Sequence, residues 1–218
     1  MSGKLTTAAE AANLVKDGMT VMIGGFMAVG TPEILVDALV AKGVKHLTVI
    51  GNDAGLNGKG IIKLVEAGAV DELIVSHIGM TPVVGKLMGE GTLKVTLVPQ
   101  GSLAEKVRAG GAGLGGVLTP TGLGTEVAAG KDVVTVDGKD YLLEKPLHAD
   151  VALIRGSLVD EDGNVIYKGT TRNFNPLMAT AADTVIVAAQ EVVKVGALDK
   201  EAIATPGIFV DYIVSGEK

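Results

Sequence analysis

The chain has no cysteine and no tryptophan, and aromatic residues make up only 3% of it. Without cysteine, disulfides, thiolate nucleophiles and cysteine-based metal sites are excluded, and a reducing compartment fits. With so few aromatics, the stacking platforms used by single-stranded nucleic acid are scarce. No long basic stretch interrupts the sequence, and the net charge is -6. Nucleic acid is therefore not an expected partner. No apolar run approaches the roughly 18 residues that span a bilayer. Met1 to Glu10 lacks the apolar core of a signal peptide. A soluble cytoplasmic protein with no membrane partner is expected. The sequence also lacks a G-x-S-x-G elbow and a P-loop, which argues against the usual α/β serine hydrolases and P-loop nucleotide enzymes.

What is present is a sizeable apolar fraction, 47% of 218 residues, and 31 glycines. That glycine content is about twice the usual share of roughly 7%. The glycines cluster between apolar runs, where backbone must take positive φ or approach a ligand closely. The length and composition suit one domain over residues 1–218 with a large buried core.

Strand and helix signals alternate. Thr7-Ala8-Ala9-Glu10 is a capping-box pattern opening a helix that Gly18 can stop. Thr20 to Ile23 reads as a buried strand and Leu47 to Ile50 as the next. Between them, Thr31 is the expected N-cap of a helix with Pro32 in its first turn and Gly43 at its end. Lys59 to Ala67 reads as a helix, Glu72 to Ser76 and Leu93 to Val98 as strands, and Ser102 to Glu105 as a second capping box. Residues 110–130 read as a structured loop. Asp137-Gly138 and Asp162-Gly163 each sit between apolar runs and signal hairpins. A helix from Asn175 to about Ala182, a strand from Thr184 to Ala188 and an apolar run from Phe209 to Val214 complete the chain. The expected fold is α/β: an open, mainly parallel sheet covered by helices, with antiparallel hairpin additions.

Three features bear on chemistry. The stretch Asp17 to Pro32 is a buried strand running into a glycine-rich turn and then a helix. Such a turn bares N–H groups beside a helix N-terminus, which suits phosphate or another anion; a ligand-free tight turn has the same pattern. Gly111-Ala112-Gly113-Leu114-Gly115-Gly116 satisfies G-x-G-x-x-G. It follows a predicted helix instead of a strand, so a dinucleotide site is not expected there. Asn52-Asp53 and Gln100 stand at the carboxyl ends of predicted strands, where open α/β sheets bind ligands; loop capping explains Asn52 and Asp53 equally well. His46, His77 and His148 have no metal-ligand spacing, and none of the carboxylates does either. The residues by themselves point to a small-ligand site at the strand ends.

The segment Asp17 to Pro32 also resembles, position by position, the D-G…G-G-F…G-x-P signature of the family I (3-oxoacid-type) coenzyme A transferases. Gly51-Asn52-Asp53, Val98 to Gly113, Thr119-Pro120-Thr121-Gly122, Arg172 to Pro176 and Thr205 to Asp211 resemble further blocks of that family's alpha half. The similarity spans nearly the whole chain in order and is greatest to the acetate/butyrate:acetoacetate branch. It implies a transferase that passes coenzyme A between an acyl-CoA and a short-chain carboxylate, with CoA and acyl-CoA as substrates and no permanently bound cofactor. It implies ping-pong catalysis through a glutamyl-CoA thioester. The family's nucleophilic glutamate lies in a Ser-Glu-Asn-Gly-like segment of the beta half, and this sequence has no Ser-Glu dipeptide. No nucleophile is therefore expected here, and a beta-subunit partner in an α2β2 or similar assembly is implied. The resemblance implies CoA association for Gly24, Gly25, Phe26, Met27, Ala28, Val29 and Gly30. It places Asn52, Asp53 and Gln100 in the acyl pocket. Asp53 departs from the Asn-Asn common in the family; as a carboxylate it would repel a carboxylate substrate unless hydrogen-bonded or turned away. Gln100 can donate a hydrogen bond to a developing oxyanion. Arg108 is either a carboxylate clamp or a helix-surface residue. Glu33, Glu66, Glu105 and Glu144 read as surface residues. A thioesterase or isomerase on the same fold would need its own carboxylate base, for which Asp53 is the candidate; a non-catalytic binding protein would need none.

Overall fold

The computed structural model describes residues 3–217; Met1, Ser2 and Lys218, at the ends of the stretches considered above, lie outside it. The chain opens with β1 (Leu5–Thr6) and α1 (Ala8–Ala12), then β2 (Thr20–Ile23), α2 (Glu33–Lys42) and β3 (Leu47–Ile50). It continues through α3 (Ile62–Glu66), β4 (Val70–Val75), α4 (Pro82–Gly89), β5 (Lys94–Leu97) and α5 (Gln100–Gly111). Three strands follow, β6 (Val117–Thr119), β7 (Val133–Val136) and β8 (Lys139–Glu144). The last part holds β9 (Ala149–Asp160), β10 (Val165–Ile166), α6 (Asn175–Met178), β11 (Ala182–Val193) and β12 (Tyr212–Ser215).

The main sheet runs in the order β1-β12-β11-β9-β2-β3-β4-β5, all parallel, with β10 turned back antiparallel on β9. The short strands β6, β8 and β7 form a separate antiparallel sheet. This is the α/β architecture expected, with the hairpin additions.

The central strands are apolar at successive positions because both faces are covered. In β2, Val21 and Ile23 face one apolar cluster and Met22 the other. In β9, Val151 and Leu153 face the first, Ala152 and Ile154 the second. The first cluster takes Leu35 and Leu39 of α2, Ile62 and Leu64 of α3, and Val84 of α4. The second takes Leu103 and Val107 of α5 and Met178 of α6.

Several boundaries differ from the sequence reading. The Thr7–Glu10 capping box forms, but α1 stops at Ala12; Gly18 takes φ 81° in the turn beyond. Thr31 does not cap α2. It is buried, and Pro32 occupies the cap position without a side-chain bond. The helix expected from Lys59 begins at Ile62, because residues 56–59 close a tight turn and Gly60 has φ 83°. Ser102 is no cap either: α5 starts at Gln100 behind Pro99, which places Ser102 inside the helix. Residues 110–130 contain β6, the third strand of the small sheet. Residues 82–89, to which the sequence reading assigns no element, form α4 behind Thr81, with Pro82 in its first turn. In the late part of the chain, α6 ends at Met178, β11 runs from Ala182 to Val193, and β12 begins only at Tyr212. Glu144 is not a surface residue. It is 1% exposed and pairs with Lys106 and Lys131 at 3.0 and 2.6 Å.

Gly43 ends α2 in the left-handed conformation, φ 74°, and a Cβ there would meet nothing within 4 Å. Only backbone strain opposes a side chain at this position. Gly43→Ala is expected to destabilise by about 1 kcal/mol, read as a lower urea midpoint at unchanged m-value.

Candidate functional site

The glycine-rich turn leaves β2 at the carboxyl edge of the sheet and closes on itself. Phe26 and Val29 exchange backbone hydrogen bonds of 3.0 and 2.9 Å, with Met27 and Ala28 at φ 48° and 64° between them. This is a two-residue hairpin whose central pair both take positive φ. A second tight turn stands beside it. Leu56 and Lys59 exchange bonds of 3.0 and 2.8 Å around Asn57-Gly58. A Cβ built at Gly60 would lie 3.7 Å from that of Ala28, so the two turns touch.

Side chains from distant segments hold the first turn. Asn173 accepts a bond from the Gly25 N–H (3.2 Å) and donates to the Val29 carbonyl (2.9 Å), bracing both ends of it. Asn175, fully buried, donates to the Gly30 and Thr171 carbonyls (3.0 and 2.8 Å) and accepts from the Arg155 N–H (2.9 Å). It fills the space over Gly24, where a Cβ would fall 1.9 Å from its Oδ1. Gly25 is equally constrained, at φ 126° with Thr31 Oγ1 in the place of a Cβ at 2.2 Å.

Asp53 is buried, and both its oxygens are engaged. Oδ2 accepts from the Met27 N–H (2.9 Å) and the Asn52 side-chain amide (2.7 Å); Oδ1 accepts from the Gly55 N–H (2.7 Å). Asn52, 2% exposed, also accepts bonds from Ser76. The carboxylate is thus hydrogen-bonded within the chain.

The turn offers an anion less than its sequence suggests. Gly24 N–H donates to Leu153, Gly25 to Asn173, Met27 to Asp53 and Thr31 to Ala28, and Phe26 and Val29 serve each other. Among the described residues, only the amides of Ala28 and Gly30 within this turn remain without an acceptor. The first turn of α2 is already matched to a carboxylate of the chain itself, since the Ile34 N–H donates to Glu217 Oε2 at 3.0 Å. That arrangement uses the positive helix end internally.

Instead, the turns border an apolar cleft of about 700 Å³ walled by Phe26, Met27, Val29, Leu56, Thr170 and Asn173. Its size suits a small-molecule site. Phe26 and Val29 are about half exposed into it. None of these six residues is acidic.

The structure therefore brings Gly24 to Gly30, Asn52 and Asp53 together, with Asn52 and Asp53 behind the cleft wall. Gln100 opens α5 after the edge strand β5, two strands from β3, which leads into Asn52 and Asp53, and three from β2; at strand spacing these are roughly 10 and 14 Å. Arg108 is a helix-surface residue paired to Glu105 at 2.7 Å. The G-x-G-x-x-G stretch lies between α5 and β6, in the order helix–loop–strand. No group of three or more His, Asp or Glu among the described residues is placed to hold a metal ion, and no described helix is long and apolar enough to cross a membrane. Sequence reasoning assigned no role to Asn173 and Asn175. Their only trace was the block Arg172 to Pro176, about 145 residues from the turn they brace.

Comparison with known proteins fits this geometry. Residues 5–216 match the family model for coenzyme A transferase. The chain is 52% identical over 214 residues to the acetoacetyl-CoA:acetate/butyrate CoA transferase alpha subunit of Clostridium acetobutylicum, covering 98% of each. It is 50% identical to the acetate CoA-transferase subunit alpha of Escherichia coli, covering 100% of this chain and 99% of that one. A solved acyl-CoA transferase from E. coli O157:H7, captured as a thioester complex with CoA, shares the fold with TM-score 0.86 at 24% identity. That match covers 97% of this chain, which spans about half (49%) of the solved one. From its sequence, its sheet and these relatives together, the chain belongs to the coenzyme A transferase family.

Proposed function

We propose that the chain is the alpha subunit of a heteromeric short-chain acyl-CoA:carboxylate coenzyme A transferase, acting as a single domain with a beta subunit that carries the nucleophilic glutamate. The observation that carries this reading is the cleft. It has no acidic wall residue, and Asp53, a carboxylate behind it, is held by three N–H donors. This agrees with a nucleophile supplied by another chain. The names of the two relatives described above, both alpha subunits, support the same division of labour, and an α2β2 assembly is the expected form.

In the reaction, a carboxylate oxygen of the partner's glutamate attacks the thioester carbonyl of the acyl-CoA and the CoA thiolate leaves. The thiolate then attacks the glutamyl carbonyl of the resulting anhydride. The acyl group departs as its carboxylate, and a glutamyl-CoA thioester remains. An incoming carboxylate runs the sequence backwards. This chain supplies binding and exclusion of water. The apolar sides of Phe26, Met27 and Val29 receive the uncharged arm of the CoA substrate, while the amides of Ala28 and Gly30 offer donors to a carbonyl or developing oxyanion. Gln100, at the carboxyl end of the same parallel sheet, offers its amide to the acyl pocket as a further donor.

The test is CoA exchange between acetate and acetoacetyl-CoA or butyryl-CoA, with this chain alone and with its beta subunit. Transfer only in the mixture, with ping-pong kinetics and borohydride trapping on the partner, is the expected result. Turnover by this chain alone would place the nucleophile here and overturn the assignment. CoA binding without transfer in either case would point to a non-catalytic binding protein.

A further inference from the structure

We infer that Asp53 is a positioning residue that couples the 26–29 turn to the 56–59 turn, making them two walls of one cleft that hold their spacing together. On this reading it holds the cleft walls and does not contact substrate, in contrast to the acyl-pocket role that the resemblance implies. The inference rests on the transferase reading above.

Each oxygen of Asp53 serves a different wall. Oδ2 takes the Met27 N–H, at the centre of the first turn. Oδ1 takes the Gly55 N–H, at the entry to the second. The Asn52 side-chain amide donates to Oδ2 from the flank. Three N–H donors thus converge on one side chain that is 7% exposed. Only an acceptor-only group satisfies all of them. Asparagine has nearly the same shape, but its NH2 would face a backbone N–H at one of the two ends, leaving a buried donor unpaired. The second turn has little freedom of its own. Gly55 has φ 89°, a Cβ there would fall 2.3 Å from the Lys59 carbonyl oxygen, and the Ile62 N–H donates back to the Ala54 carbonyl at 2.7 Å. A shift of the Asp53 carboxylate therefore carries Leu56 and the cleft wall with it. Phe26, Met27 and Val29 move from the other side.

The experiment uses the full chain assembled with its beta subunit. Asp53→Asn is expected to raise KM for butyryl-CoA about 10- to 100-fold, the range of a lost charge-assisted hydrogen bond, with a much smaller change in kcat. Hydrogen exchange on the same variant should show protection lost together in peptides covering 24–31 and 54–62, and kept in 149–160 and 182–193. A raised KM with unchanged protection would make Asp53 a substrate contact and overturn the inference, as would wild-type values of both. If Asp53→Asn does not fold, hydrogen exchange on the wild-type complex through sub-denaturing urea decides: peptides 24–31 and 54–62 losing protection at the same urea concentration supports walls that hold together, and loss at separate concentrations overturns it. Absence of transfer by the wild-type complex would sink the functional reading. Exchange protection of the two turns tests the coupling separately.

Discussion

Gly24→Ala is expected to abolish CoA transfer by the assembled enzyme and to destabilise this chain by more than about 4 kcal/mol, the exceptional end of single substitutions. The new methyl would sit 1.9 Å from Asn175 Oδ1 and 2.6 Å from its Cγ. Asn175 has nowhere to go. It is 0% exposed and makes hydrogen bonds to Gly30, Thr171 and Arg155. Moving it leaves buried carbonyls and an N–H unpaired, each costing about 1–3 kcal/mol. Two further variants separate this cause from a general intolerance of change at glycine. Asn175→Ala added to Gly24→Ala removes the clash, so the double variant should be less damaged than the sum of the two single effects. Gly85→Ala, in α4 with open space around it, should stabilise by about 0.5–1 kcal/mol through helix propensity. Thermal unfolding and transfer assays read all three. A fully active Gly24→Ala enzyme would mean that Asn175 is not where the structure puts it.

Glu144→Gln should cost about 3 kcal/mol of unfolding free energy, at the lower end for breaking a buried ion pair. Glu144 is 1% exposed and accepts from Lys106 of α5 and from Lys131, which precedes β7; the lysines themselves are 14% and 25% exposed. This ties the small sheet to the helix that carries Gln100. The remaining access of the lysines to water is why the lower figure applies. Burial raises the Glu144 pKa, but the hydrogen bonds from Lys131 and Lys106, with their charges, outweigh it and hold the carboxyl below its usual 4.5. The folded chain therefore binds this proton less tightly than the unfolded chain. The contribution is complete above the unfolded value near 4.5 and is lost as pH falls through the lower folded value. Urea unfolding of wild type between pH 7 and pH 3 should show that component of acid destabilisation, and Glu144→Gln should lack it. A cost below about 1 kcal/mol would put the pair in the class of exposed ion pairs.

Much of the site's local shape was legible beforehand. The Gly24 to Gly30 stretch reads as a turn because glycine clusters mark positive φ, and Gly25 and Gly30 do take it. Met27 and Ala28 carry no such mark, yet they occupy the same region, held there by the Met27 and Gly25 N–H groups donating to Asp53 and Asn173 and by Asn173 donating to the Val29 carbonyl. Asp53 stood at the right strand end, but the sequence could not say which way its carboxylate points. Of the glutamates named above as surface residues, Glu66 and Glu105 are exposed, whereas Glu33 is half-buried and pairs with Lys63 at 2.5 Å. Glu144 has an equally ordinary neighbourhood, and is buried because two lysines reach it from 38 and 13 residues away.

The sequence by itself determined the α/β alternation, both Asp-Gly hairpins, the Thr7 capping box, the lack of a Ser-Glu nucleophile segment and, through its ordered motifs, the family. These are properties of neighbouring residues: periodicity of apolar side chains, φ demands of single positions, and caps within a few residues. Only the tertiary structure decided that β9 lies at the centre against β2, that Asn173 and Asn175 brace a turn about 145 residues upstream, and that Glu217 fills the end of α2. Those arrangements depend on which distant surfaces are buried together. The loop-closure cost of such contacts grows only slowly with separation, so chain distance neither forbids nor announces them, and the polar side chains that seal them look locally like any loop residue.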